Sequence, residues 1–135
     1  MPEILQVLTW VAIGSAFGGM ARLFLSDFIA RRAGETFPWG TIAVNVTGSF
    51  AAGTIAAASM GNSLLHTPAA WQFLVLGFLG SYTTVSSFSL QTLGLFRDGE
   101  ILRAGGNVAL SVAACLAAVA LGYAAGSAAF GTGTP

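Results

Sequence analysis

From Thr36 to Phe96 the chain carries no Asp, Glu, Lys or Arg. A stretch of that length without a formal charge is hard to keep soluble, and it is long enough to cross a bilayer more than once at about 20 residues per helical span. The rest of the chain agrees. Charged residues make up 7% of it and apolar residues 55%, where a soluble domain carries roughly 25% charged residues. Mean hydropathy is +0.78. Net charge is zero and lysine is absent, which excludes the basic footprint of a nucleic-acid binder. Cys115 is the sole cysteine, so an internal disulfide is excluded. The opening Met-Pro-Glu-Ile lacks a basic leader region, so the first apolar segment is expected to be retained.

Hydropathy and turn signals predict an all-α membrane protein, a single domain over 1–135, with spans near 4–30, 38–60, 70–96 and 101–126. Asp27, Arg31 and Arg32 mark the water boundary after the first span. Phe37-Pro38-Trp39-Gly40 opens the second, with proline in a first-turn position and tryptophan at interface level. Gly61-Asn62-Ser63 and His66-Thr67-Pro68 read as a connection, and Pro68 is placed to start the third span. Arg97-Asp98-Gly99-Glu100 is a tight charged turn before the fourth, and the small, polar tail from Gly126 to Pro135 is expected to fray. Glycines and alanines at intervals of four (Gly14 with Gly18, Gly48 with Ala52, Gly122 with Gly126) are read as helix-packing contacts.

The third span is predicted to break near its middle. Gly77 and Gly80 bracket a turn, and Ser81, Tyr82, Thr83, Thr84, Ser86, Ser87 and Ser89 crowd the residues after it. Polar or unwound backbone at membrane depth survives only where it is buried in protein or lines a wet path. Asn45 lies two turns into the second span, either as an interhelical hydrogen bond or as part of a path. Arg22 is either an interfacial anchor or a source of positive potential for an anion. On the third segment Val85, Phe88 and Thr92 share one stripe and Thr84, Phe88, Gln91 and Leu95 an adjoining one, while Asn107, Ser111 and Cys115 align at intervals of four on the fourth. No Asp or Glu lies in the interior of any span, Asp27 being at the water boundary of the first, and His66 is a loop residue. A proton-coupled pump needs an intramembrane ionisable relay. Hydroxyl and amide donors beside aromatic edges favour instead a desolvated anion moving passively. No nucleophile–base pair is visible, so the chain is not expected to be an enzyme.

Taken together, Gly18-Gly19-x-x-Arg22, Trp39-Gly40-Thr41-x-x-x-Asn45-x-x-Gly48-Ser49-x-x-x-Gly53 and Gly77-Phe78-Leu79-Gly80-x-x-Thr83-Thr84-x-Ser86-x-Phe88-Ser89 resemble the Fluc (CrcB) fluoride channels. The resemblance implies a fluoride-selective passive channel in the bacterial inner membrane. It implies that the channel relieves fluoride toxicity and is built as a dual-topology antiparallel homodimer. It further implies a structural Na⁺, not transported, held at the dimer centre by the Gly80 and Thr83 carbonyls, and a fluoride pathway along Asn45, Val85, Phe88, Thr84, Ser111 and Cys115, with Arg22 at a vestibule. Val85 stands where the family commonly has a second pore phenylalanine, and Gln91 where a glutamate is usual. All of the arginines (Arg22, Arg31, Arg32, Arg97, Arg103) fall near one membrane face, which by itself predicts a single orientation. A heterodimer with an oppositely oriented relative is therefore the alternative assembly. A small multidrug-type exporter or a non-conducting membrane scaffold is the alternative function.

Overall fold

A computed structural model describes residues 2–61 and 63–131, and all regular structure among them is helical. Helix α1 is Pro2–Ala33, α2 is Trp39–Gly61 and, after a 3-10 turn at Ser63–His66, α3 occupies 68–82. Helices α4 (Ser86–Arg97) and α5 (Ile101–Phe130) complete the chain. Four segments, Pro2–Ala33, Trp39–Gly61, Pro68–Arg97 and Ile101–Phe130, are long and apolar enough to cross a membrane. Large apolar side chains cover the outside: Leu102 is 92% exposed and Phe24 74%. In water such a surface would drive aggregation, whereas against lipid tails it is the required exterior. The chain is a multi-pass membrane protein.

Local chemistry sets the helix ends. Thr67 is extended and accepts the Ala70 N–H at 3.3 Å, while Pro68 takes a first-turn position where no N–H is needed. Helix α1 closes with Arg31 and Arg32 in its last turn and Gly34 at φ 85°, a basic end and a left-handed residue that both suit a helix C-terminus. Gly99 (φ 80°) makes the turn into α5. The expectation of a frayed tail from Gly126 fails in its first half. Helix α5 continues to Phe130 and stops at left-handed Gly131, because Gly126 is buried against Thr54 and Ala57 of α2. Asn62 and the last four positions of the expected tail, 132–135, lie outside the described residues, as does Met1.

Two seams hold the helices together. In the α2–α5 seam a methyl group at Gly122 would overlap the Phe50 carbonyl, and one at Gly53 would overlap the Val119 carbonyl. Each helix thus lays a glycine against the other's backbone, and the Thr54 hydroxyl adds a bond to the Gly122 carbonyl at 3.1 Å. In the α1–α3 seam Gly14 and Gly18 meet the Phe73 and Phe78 carbonyls in the same manner. Association in lipid rests on such close backbone approach, because apolar burial supplies no force there.

The middle of α3 is not wound as an α-helix. Residues Gln72–Leu79 form a π-helix between α-helical Pro68–Trp71 and Gly80–Tyr82, and the Gly80 N–H reaches back to the Val75 carbonyl as well as to Gly77. Beyond Tyr82 the backbone turns extended at Thr83 (φ −77°, ψ 155°), and helical structure resumes at Ser86.

Candidate functional site

The residues between α3 and α4 sit beside α2, and Asn45 holds them there. Its Nδ2 donates to the Thr84 carbonyl at 2.8 Å, and its Oδ1 accepts the Thr84 N–H at 2.7 Å. A side-chain amide thereby pairs with a backbone amide as a second backbone would. Thr84 is buried, and its hydroxyl accepts the Ser87 N–H at 3.1 Å, satisfying one of the free donors at the start of α4. Thr84 Oγ1 also lies 3.1 Å from Ser86 Oγ and 3.2 Å from Ser87 Oγ. Upstream, Thr83 Oγ1 donates to the Leu79 carbonyl at 2.9 Å. Ser81 Oγ lies within hydrogen-bond reach of the Ser15 carbonyl at 2.9 Å and the Gly77 carbonyl at 3.0 Å. Gly48, one turn past Asn45, is packed so closely on Thr83 that a Cβ there would strike the Thr83 methyl.

An open groove of about 490 Å³ runs along this feature. Asn45, Gly48 and Ser49 of α2 form one wall, and Ser111, Val112 and Cys115 of α5 form another. Gly80, Thr83, Thr84, Val85 and Phe88 line it from α3, the interruption and α4. Of the residues singled out in the sequence, Asn45, Gly80, Thr83, Thr84, Val85, Phe88, Ser111 and Cys115 meet in one place, whereas Gln91, Thr92, Leu95 and Asn107 do not line it. Arg22, half-buried on α1, is not among the lining residues. Val85 is 76% exposed and so faces outward from this chain.

A buried polar chain backs the groove. Asn107, 1% exposed, donates to Thr92 Oγ1 at 2.8 Å; Thr92 donates to the Phe88 carbonyl at 2.7 Å. Ser111 Oγ donates to Asn107 Oδ1 at 3.3 Å, the long end of the useful range. The sequence places Thr92 only on a stripe with Val85 and Phe88, and its bond to Asn107, across 15 positions, depends on how α4 and α5 pack. The amide and hydroxyls leave the lining without an acidic or basic side chain. Chemically it offers N–H, O–H and S–H donors, an aromatic edge and released backbone carbonyls. Among the described residues no cluster of His, Cys, Asp and Glu has metal-holding geometry.

The family model described as CrcB-like protein, Camphor Resistance (CrcB), matches residues 9–123. This chain belongs to the CrcB family. It is 62% identical over 126 residues to the fluoride-specific ion channel FluC 2 of Rhodopseudomonas palustris, covering 93% of this chain and 96% of that relative. It is 54% identical over 121 residues to FluC 2 of Bradyrhizobium diazoefficiens, covering 89% of this chain and 88% of the relative. With the fluoride-specific ion channel FluC of Methylocella silvestris it shares 49% identity over 115 residues, covering 84% and 88% of the two chains. CrcB proteins with these names are ion channels and not enzymes. Asn45, Gly80, Thr83 and the groove all lie inside the matched residues.

Proposed function

We propose that this CrcB protein is a passive, fluoride-selective channel of the bacterial inner membrane that lets cytoplasmic fluoride escape. The observation that carries the reading is the groove itself. It gathers Asn45, Thr84, Phe88, Ser111 and Cys115 at one place among four apolar helices and contains no carboxylate that could repel an anion or relay a proton. The names borne by the relatives, fluoride-specific ion channels, supply the ion. HF crosses membranes as a neutral molecule and ionises in the less acidic cytoplasm. The trapped anion then leaves only through a pathway that replaces its hydration shell. An inside-negative potential drives it outward by about 2.3 kcal/mol per 100 mV.

Replacement donors are at hand. Asn45 commits one Nδ2 hydrogen to Thr84 and keeps a second for an ion. Ser111 holds its proton on Asn107 by a long bond, so that proton is readily redirected. Phe88 contributes an electropositive ring edge, and the Cys115 thiol a weak donor. Arg22, away from this groove, raises the local concentration of anions at an approach.

Gly80 and Thr83 are proposed to hold a structural Na⁺ with their backbone carbonyls, together with those of a second, antiparallel copy. The donor set suits it. Na⁺ is a hard cation served by neutral oxygens, Thr83 is extended, and the Thr84 N–H that a continuing helix would give to the Gly80 carbonyl is bonded elsewhere. The ion supplies fixed positive charge between the copies. The openness of the groove, with Gly80 and Val85 exposed, supports a partner of the same kind on that face.

The test is potential-driven efflux from liposomes containing the purified protein. Fluoride should leave rapidly while chloride is retained. Equal flux of both anions, or none of fluoride, would overturn the proposal. A terminal tag accessible from only one side of intact cells would exclude self-pairing in opposite senses and leave the heterodimer.

A further inference from the structure

We infer that Asn45 acts as a positioning residue for the cation seat, by occupying both backbone groups of Thr84 so that α3 cannot heal across the interruption. The inference rests on the cation reading above and concerns a role for Asn45 apart from the ion path. In an uninterrupted α-helix the Thr84 N–H closes on the Gly80 carbonyl, and the Thr84 carbonyl accepts from Phe88. Here both are taken: Oδ1 receives the N–H at 2.7 Å and Nδ2 binds the carbonyl at 2.8 Å. Gly80 is thereby relieved of its helical partner, while Thr84 keeps full satisfaction at membrane depth, where an orphaned amide is costly.

Neighbouring contacts reinforce the arrangement. The Thr84 hydroxyl receives the Ser87 N–H at 3.1 Å, so α4 starts without help from α3. Gly48 leaves room for the Thr83 methyl, which keeps the extended residue against α2. Asn45 sits within the long helix α2, firmly seated on α5, so the clasp is anchored outside the segment it holds open.

The experiment titrates Na⁺ against the thermal midpoint of the purified full-length protein in detergent, with N-methylglucamine replacing Na⁺, and reads the concentration giving half the stabilisation. Asn45→Ala frees the Thr84 N–H to return to Gly80. Loss of both hydrogen bonds should raise that concentration at least about fivefold. Thr54→Val removes a bond from the α2–α5 seam; it should lower the midpoint at all Na⁺ concentrations and leave the half-stabilising concentration in place. Should Asn45→Ala fail to purify, Asn45→Gln keeps the amide but sets it one methylene away from Thr84, so it should also raise the half-stabilising Na⁺ concentration.

An unchanged Na⁺ requirement in Asn45→Ala, or in Asn45→Gln where the alanine variant does not purify, would overturn the positioning role while leaving the channel reading intact. A parent protein whose midpoint ignores Na⁺ would remove the cation reading and this inference with it. Fluoride flux, measured separately, still reports the channel.

Discussion

The α2–α5 seam and the interruption between α3 and α4 solve the same problem by opposite means. Both bring helices together in a solvent that gives no hydrophobic force. In the seam the backbones are regular, their hydrogen bonds internal, and contact comes from missing side chains: Gly53 and Gly122 lie against carbonyls. At the interruption the backbone is irregular, and contact comes from a side chain that imitates backbone, Asn45 on Thr84. The seam therefore depends on shape and tolerates little added volume. The interruption depends on donors and acceptors, and a change that keeps its shape can still undo it.

That contrast breaks most easily at Gly122. Gly122→Val drives a branched side chain into the Phe50 main chain, which has no flexible end to give way. Overpacking against backbone should cost more than about 3 kcal/mol, seen as loss of the monodisperse species on size-exclusion chromatography in detergent. Next in size, Thr84→Val preserves volume and removes the hydroxyl that receives the Ser87 N–H. Stability should fall by about 1 kcal/mol in thermal unfolding, and fluoride efflux should slow as the start of α4 loosens. The smallest effect has the opposite sign. A Cβ at Gly105 meets nothing within 4 Å, so Gly105→Ala inside α5 should stabilise by about 0.5–1 kcal/mol. A loss of stability there would reveal a partner seated on that face.

Much of this was legible in the sequence, and the reason is physical. Spans follow from composition, because lipid selects for it residue by residue. The seam glycines follow from their spacing, because an α-helix returns to one face every three or four residues; Gly14, Gly18, Gly122 and Gly126 all lie at contacts. Other features have no one-dimensional signature. Gln72–Leu79 reads as an ordinary apolar helix, since π-winding depends on what the turn must meet on each side. Asn45 was visible as a polar residue at depth. Its pairing with an amide 39 positions away follows from the packing of α2 and cannot be read from either segment alone. Arg22 could be placed in a span, but only the packed helices reveal that it stands apart from the groove.

The wide turn of α3 decides what each of its faces meets. Residues three apart in an α-helix are near neighbours on one side, yet Gly77 is buried against Val11 and Gly14 of α1 while Gly80 is exposed to the groove. The i→i+5 bond from Val75 to Gly80 gives the segment a looser pitch that lets its two glycines look in different directions. Helix α1, which contributes no residue to the groove, therefore packs against the same stretch of α3 that supplies Val75, Leu79 and Gly80 to its lining.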